Sequence, residues 1–154
     1  MRSLVLSLLL CCACAGPKGA LITAEEQRDH GARVLKAPLP QVFTAAAAAL
    51  RSLGYPAAIE EPALGLLKTG RKLVRSVHQA GVGDVPVSRQ YALRLRATEA
   101  GTEVIAEPFL FVGERDVSKE PVWQLDGDDG ERALWEALFH EIAGLLSPAP
   151  APGL

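Results

Sequence analysis

At 154 residues, with 49% apolar and 22% charged side chains, the chain has the make-up of a folded globule. A net charge of -2 excludes the basic excess of a nucleic-acid-binding surface, so no nucleic-acid partner is expected. All three cysteines fall within residues 11–14, too close together to staple distant parts of a domain, and no neighbouring histidine completes a metal site.

The first element is a targeting signal: Arg2 is a positive n-region, residues 4–10 are apolar, and small residues come next. The run is too short for a spanning helix, which needs about 20 apolar residues. The adjoining stretch "CCACAG" resembles the lipobox of bacterial lipoproteins, in which the chain is cut before a cysteine whose thiol is then diacylated. Cys14 fits best because Ala13 precedes it, with Cys12 as the alternative, giving a signal peptide at 1–13. The rival is plain secretion, with "ACA" cut after Ala15 as a small-x-small site. The lipobox resemblance implies anchoring through the N-terminal lipid. Ala15 stands where aspartate would favour inner-membrane retention, so the expected place is the outer membrane, facing the periplasm.

Residues 14–31, mixed and without apolar periodicity, read as a tether, and 148–154 ("PAPAPGL") as a disordered tail. Between them, 32–147 is long enough for one domain with a core. Val34 and Leu35 mark a short strand before a proline break. "LPQVFTAAAAALRSLG" is helical: Pro40 is allowed in the first turn, five alanines have the best propensity, and Gly54 suits the end. Its stripe is Val42, Phe43, Ala46, Leu50 and Leu53. Residues 57–60 and 66–71 read as strands reversed by the turn-formers of 62–65. Residues 73–91, with two glycines and a proline, read as a long irregular loop.

The hairpin "RQYALRLRATEAGTEVIAEPFLFV" buries Tyr91, Leu93 and Leu95 by two-residue alternation and turns at Gly101. Val104 and Ala106 join that face, while Glu103 and Glu107 share the other with Arg94 and Arg96. A polar loop then leads to a closing helix, with Asp128 or Asp129 as N-cap and Glu131 near the positive end of the helix dipole. Leu134, Trp135, Leu138, Phe139, Ile142 and Leu145 form its apolar side. The expected fold is α+β: an antiparallel sheet of about four to five strands with two helices packed on one face, in the order β-α-β-β-β-β-α.

The run "KAPLPQVFTAAAAALRSLGY…EEPALGLLKTG", then a hairpin and a closing helix, is similar to the helix-grip domains of BamC-type lipoproteins of the outer-membrane β-barrel assembly machinery. The matching residues are Pro40 and Val42 at the helix start, Leu53, Gly54 and Tyr55 at its end, and Gly65 and Leu66 at the next strand. The resemblance covers about residues 33–146 and implies an envelope assembly subunit acting through protein-protein contacts, with an unidentified envelope protein as partner. Ligand-binding helix-grip proteins of the START type share the pattern, which keeps a second reading open: a carrier holding an apolar ligand between sheet and closing helix.

Enzyme signatures are lacking. His30, His78 and His140 have no accompanying motif, and "HEIAG" lacks the second histidine of a zinc-protease helix. Counting a calcium loop from Asp126 puts Glu131 where glycine is needed and Ala137 where glutamate is needed. The expectation is a non-enzyme without metal or cofactor. From Lys68 to Arg96 basic residues dominate, and beyond Glu99 acidic ones do. Strands of opposite charge paired within one sheet explain this; Lys68, Arg71, Lys72 and Arg75 are otherwise candidate contacts for phospholipid headgroups or an acidic partner.

Overall fold

Two long strands of alternating residues form the spine of the fold in the computed structural model, which describes residues 19–147. The signal segment, Cys14 and the tail at 148–154 lie outside the described residues. β5 (Gly83–Thr98) and β6 (Gly101–Val112) pair antiparallel from Val87 opposite Val112 to Thr98 opposite Gly101. Gly101 makes the turn at φ +134°, where a Cβ would come within 2.1 Å of the Leu35 carbonyl oxygen.

Both edges of this hairpin are shared. Along one half, β1 (Ala32–Leu35) pairs with β6, β3 (Leu66–Thr69) with β5, and β2 (Ala57–Glu61) with β3, all antiparallel. The order there is β1-β6-β5-β3-β2. Along the other half, β4 (Lys72–Gln79) takes over the β5 edge that β3 leaves, and β7 (Arg115–Asp116) pairs with β6. The fold is thus α+β with an antiparallel sheet, of seven strands among the described residues where four to five were expected.

The difference comes mainly from residues 73–91, which are not a loop: they complete β4 and begin β5. Val77 lies opposite Val85, and Gly81 and Gly83, both at positive φ, sit at the reversal. The two glycines that suggested irregularity are turn residues of a hairpin.

Among the described residues three α-helices stand where two were expected. The extra one, α1 (Ala24–Asp29), occupies the segment read as a tether. Thr23 caps it, its Oγ1 accepting from the Glu26 amide at 3.1 Å. Just before it, Ala20 exchanges both backbone hydrogen bonds with Trp123. α1 buries no residue, so it carries no apolar period to read; Glu26 is held instead by Arg132, whose Nε donates to Oε2 at 2.9 Å.

α2 (Leu39–Ser52) has Pro40 in its first turn and buries Val42, Phe43, Leu50 and four of its five consecutive alanines. Its C-terminal carbonyl at Leu53 accepts from Lys72 Nζ at 2.6 Å, a charge-assisted cap across to β4. α3 (Glu131–Leu146) buries Trp135, Leu138, Phe139 and Ile142, while Leu145, expected on that side, is half exposed. Neither Asp128 nor Asp129 caps α3; Gly130 is the N-cap and makes no side-chain bond. The first amides of the helix donate to the carbonyls of Gln124 and Leu125 at 2.9 and 3.2 Å, so backbone does the work of a capping side chain.

The core has two parts. α2, α3 and the inner sheet face, including Leu67, Leu93, Leu95 and Val104, close over one cluster. Val87, Leu110, Val117 and Trp123 form a second, smaller one under the loop between β7 and α3. The opposite sheet face carries the charges: Arg94 meets Glu107 at 3.0 Å and Arg96 meets Glu103 at 2.8 Å.

Candidate functional site

Where the two clusters meet, the inner sheet face carries a charge. The buried parity of β5 runs Val87, Arg89, Tyr91, Leu93 and Leu95, so strand geometry alone turns Arg89 inward. Opposite it, Glu131 is the first residue of α3 and fully buried. The Tyr91 hydroxyl donates a short hydrogen bond to Glu131 Oε1, and Tyr55 packs edge-on against Tyr91 with ring centroids 5.2 Å apart.

Arg89 Nε lies 3.2 Å from Glu131 Oε2, close enough for an ion pair. The N–H is nevertheless not aligned on the oxygen, and neither atom has a hydrogen-bond partner among the described residues. Burial pushes the Glu131 carboxyl up from the usual carboxylate range, against the pull of Arg89 and of the Tyr91 hydroxyl. Burial, reinforced by the Glu131 charge, pushes the Tyr91 phenol well up. Burial opposes the Arg89 charge too, but Glu131 and the two tyrosines outweigh it and hold the guanidinium protonated. The positive end of α3 adds to that field around Glu131.

Arg89 also lines a cleft of about 350 Å³ that opens between β4 and β5 on one side and residues 122–134 on the other. Val87, Leu110 and Trp123 give it apolar walls, and Arg75 and Asp129 stand exposed at its mouth. The Arg89 guanidinium carbon is 6.0 Å from the Trp123 ring centroid. The Trp123 indole N–H is already taken, donating to the Ser118 carbonyl at 3.0 Å.

The residues singled out in the sequence do not gather here, Arg75 excepted. Cys14 lies outside the described residues. Arg71 is committed to Glu114 at 2.8 Å and stacks 3.8 Å over the Phe111 ring. Lys72 caps α2 and lies 4.9 Å over the Tyr55 ring. Lys68 sits half-buried on β3, facing Ala92 of β5. His30 lies 3.9 Å from Glu26, His78 lies 3.0 Å from Asp84, and His140 is exposed on α3. Among the described residues no three His, Cys, Asp or Glu side chains cluster as a metal site would require, and no helix is long and apolar enough to cross a membrane.

Arg89, Glu131, Tyr91 and Tyr55 as a polar group went unread in the sequence, although a signal existed. Extending the alternation of Tyr91, Leu93 and Leu95 back by two residues reaches Arg89. Stepping back four from Trp135 along the buried stripe of α3 reaches Glu131. No known family model matches the chain, and no curated protein matches it.

Proposed function

We propose that this protein is a non-catalytic lipoprotein of the bacterial envelope, anchored by a lipid on Cys14, that presents its helix-grip-like α+β domain to an envelope protein. The BamC-like pattern from Pro40 to Leu66 and the lipobox-like "CCACAG" motivate the reading. One observation supports it over the carrier alternative: the space beneath α3 is filled. Trp135, Leu138, Phe139 and Ile142 are each no more than 4% exposed, and they pack with Leu93 and Val104 of the sheet in one cluster. Room between Tyr91, Leu50 and Leu138 amounts to about 50 Å³, whereas a small-molecule cavity needs roughly 300 Å³ or more. A domain with its grip closed offers surface rather than an interior. The outer membrane, facing the periplasm, is the location this reading assigns.

Labelled palmitate fed to producing cells tests the anchor. Label should enter the wild type and Cys12→Ser and should be missing from Cys14→Ser; label persisting in Cys14→Ser overturns the assignment. Photo-crosslinkers placed at Ala92 and Arg96, on the open sheet face, test the partner. A discrete adduct that depends on Cys14 supports the reading. Solvent extraction of a stoichiometric lipid from the purified protein, with no adduct, would favour the carrier instead.

A further inference from the structure

The cleft at Arg89 plays no part in docking to an envelope protein through the open sheet face, and it stands apart from the filled grip. An arginine has five N–H donors, and folded proteins leave very few buried donors unmade because each costs free energy. Arg89 is only 9% exposed, yet its Nε has no hydrogen-bond partner among the described residues, and Glu131 Oε2, 3.2 Å away, is misaligned and equally unpartnered. The side chain lines the same cleft whose walls are Val87, Leu110 and Trp123. Arg75, exposed at the mouth, adds a second cation; Glu131 behind Arg89 and Asp129 at the rim oppose them.

We propose that this cleft is a binding site for an organic monocarboxylate with an apolar body, the carboxylate bridging Arg89 and Arg75 and the body lying against Trp123, Val87 and Leu110. A planar carboxylate suits the fork of a guanidinium, whose two terminal nitrogens can donate to it in parallel. A phosphate monoester, with its second negative charge, meets Glu131 behind Arg89 and Asp129 at the rim, so the single charge fits better. The volume, about 350 Å³, suits a ligand of one or two amino-acid residues rather than a long acyl chain. A free aryl or alkyl acid and the C-terminal residue of a peptide present the same chemistry.

Trp123 gives the readout, since the other tryptophan, Trp135, is sealed under the helices. The full chain in nonionic detergent is titrated with 3-phenylpropionate, with its amide, and with a hexapeptide ending in phenylalanine, free or amidated. Both acids should change the fluorescence saturably and both amides should not; Trp123→Phe should remove the signal. Tighter binding of the free peptide than of 3-phenylpropionate assigns the site to a chain terminus, and the reverse order assigns it to a small acid. Arg75→Ala, at the exposed mouth and harmless to the fold, should weaken binding by about tenfold, the effect of one charge-assisted contact. Glu131→Gln, which removes the competing carboxylate, should tighten binding, and the acid should raise the melting temperature of this variant more than that of the wild type. Lack of a saturable change, equal binding of acid and amide, or no response to Arg75→Ala overturns the proposal. None of these outcomes depends on Cys14 or on an envelope partner.

Discussion

The two tryptophans mark two differently built halves of one sheet. Trp135 lies where α2 and α3 cover β1, β3 and the adjoining ends of β5 and β6; its indole donates to the Ala106 carbonyl at 3.0 Å amid a broad apolar cluster. Trp123 lies where β4 and β7 extend the sheet under a loop, with only Val87, Leu110 and Val117 as fully buried apolar company. Each half satisfies its indole, so hydrogen bonding does not separate them. Cover does: helices exclude water from the first half, whereas a loop leaves the second with a cleft beside a buried charge.

Sharp tests of this contrast begin in the helix-covered half. Phe139→Ala or Trp135→Ala should cost about 3–5 kcal/mol, comparable with the whole stability of a small domain. Thermal unfolding should then show no cooperative transition at ambient temperature, while His140→Ala, on the exposed side of α3, leaves the melting temperature within a degree or two of wild type, an effect within about 0.5 kcal/mol. A folded Phe139→Ala with near-native stability would mean that α3 is not the main cover.

At the boundary, Arg89→Met strands Glu131 and should cost about 3 kcal/mol, as for a buried pair deprived of one member. Adding Glu131→Gln to it should restore part of that loss, because no unpaired charge then remains. A double variant as unstable as the sum of the two single ones would show that Arg89 and Glu131 act independently.

In the loop-covered half, Trp123→Ala should cost less, about 2 kcal/mol, because water can enter from the cleft and the loop can open locally. Hydrogen exchange should speed up in residues 110–125 while α2 and α3 keep their protection. Global loss of protection would erase the distinction between the halves.

The smallest effect is one of pH and runs in opposite directions at the two ends of the Arg132 turn. The Arg132 hydrogen bond holds the Glu26 carboxyl below the usual range, so its stabilisation of α1 is complete above about pH 4.3 and fades as pH falls through the lower folded value. Burial raises Glu131, so its charged form weighs on the fold above the raised value, and that cost disappears as pH falls toward about 4.3. Acidification from pH 6 to 3 should therefore lower the protection of residues 24–29 before that of residues 131–138, measured by exchange corrected for intrinsic rates. Simultaneous loss would contradict the two signs.

What could be read in the sequence divides along the same line. The helix-covered half was legible because its periods are apolar: the stripe of Val42, Phe43, Ala46 and Leu50, the alternation of Tyr91, Leu93 and Leu95, and Trp135, Leu138, Phe139 and Ile142 are all buried as expected. The loop-covered half was not. β4 is exposed almost throughout, and Gly81, Gly83 and Pro86 imitate a loop. The candidate site straddles that boundary, where inward positions hold Arg89 and Glu131, and a charge at an inward position interrupts the very pattern used to find inward positions. α1 escaped for a related reason, being fastened by Glu26 and Arg132, 106 residues apart, rather than by an apolar face.

The backbone pairing of Ala20 with Trp123 shortens the leash. Were residues 14–31 free, the domain could range some 60 Å from an acylated Cys14, at about 3.5 Å per residue. Since the chain is pinned from Gly19–Ala20 onward, five peptide steps remain, a reach of at most about 18 Å. The pin lies on the same loop that walls the cleft, so with Cys14 acylated as proposed the cleft end of the molecule is moored close to the headgroups. The domain then has little freedom to turn, and the far end, where the β5–β6 turn at Gly101 and the start of α2 lie together, is the part carried outward toward the aqueous space.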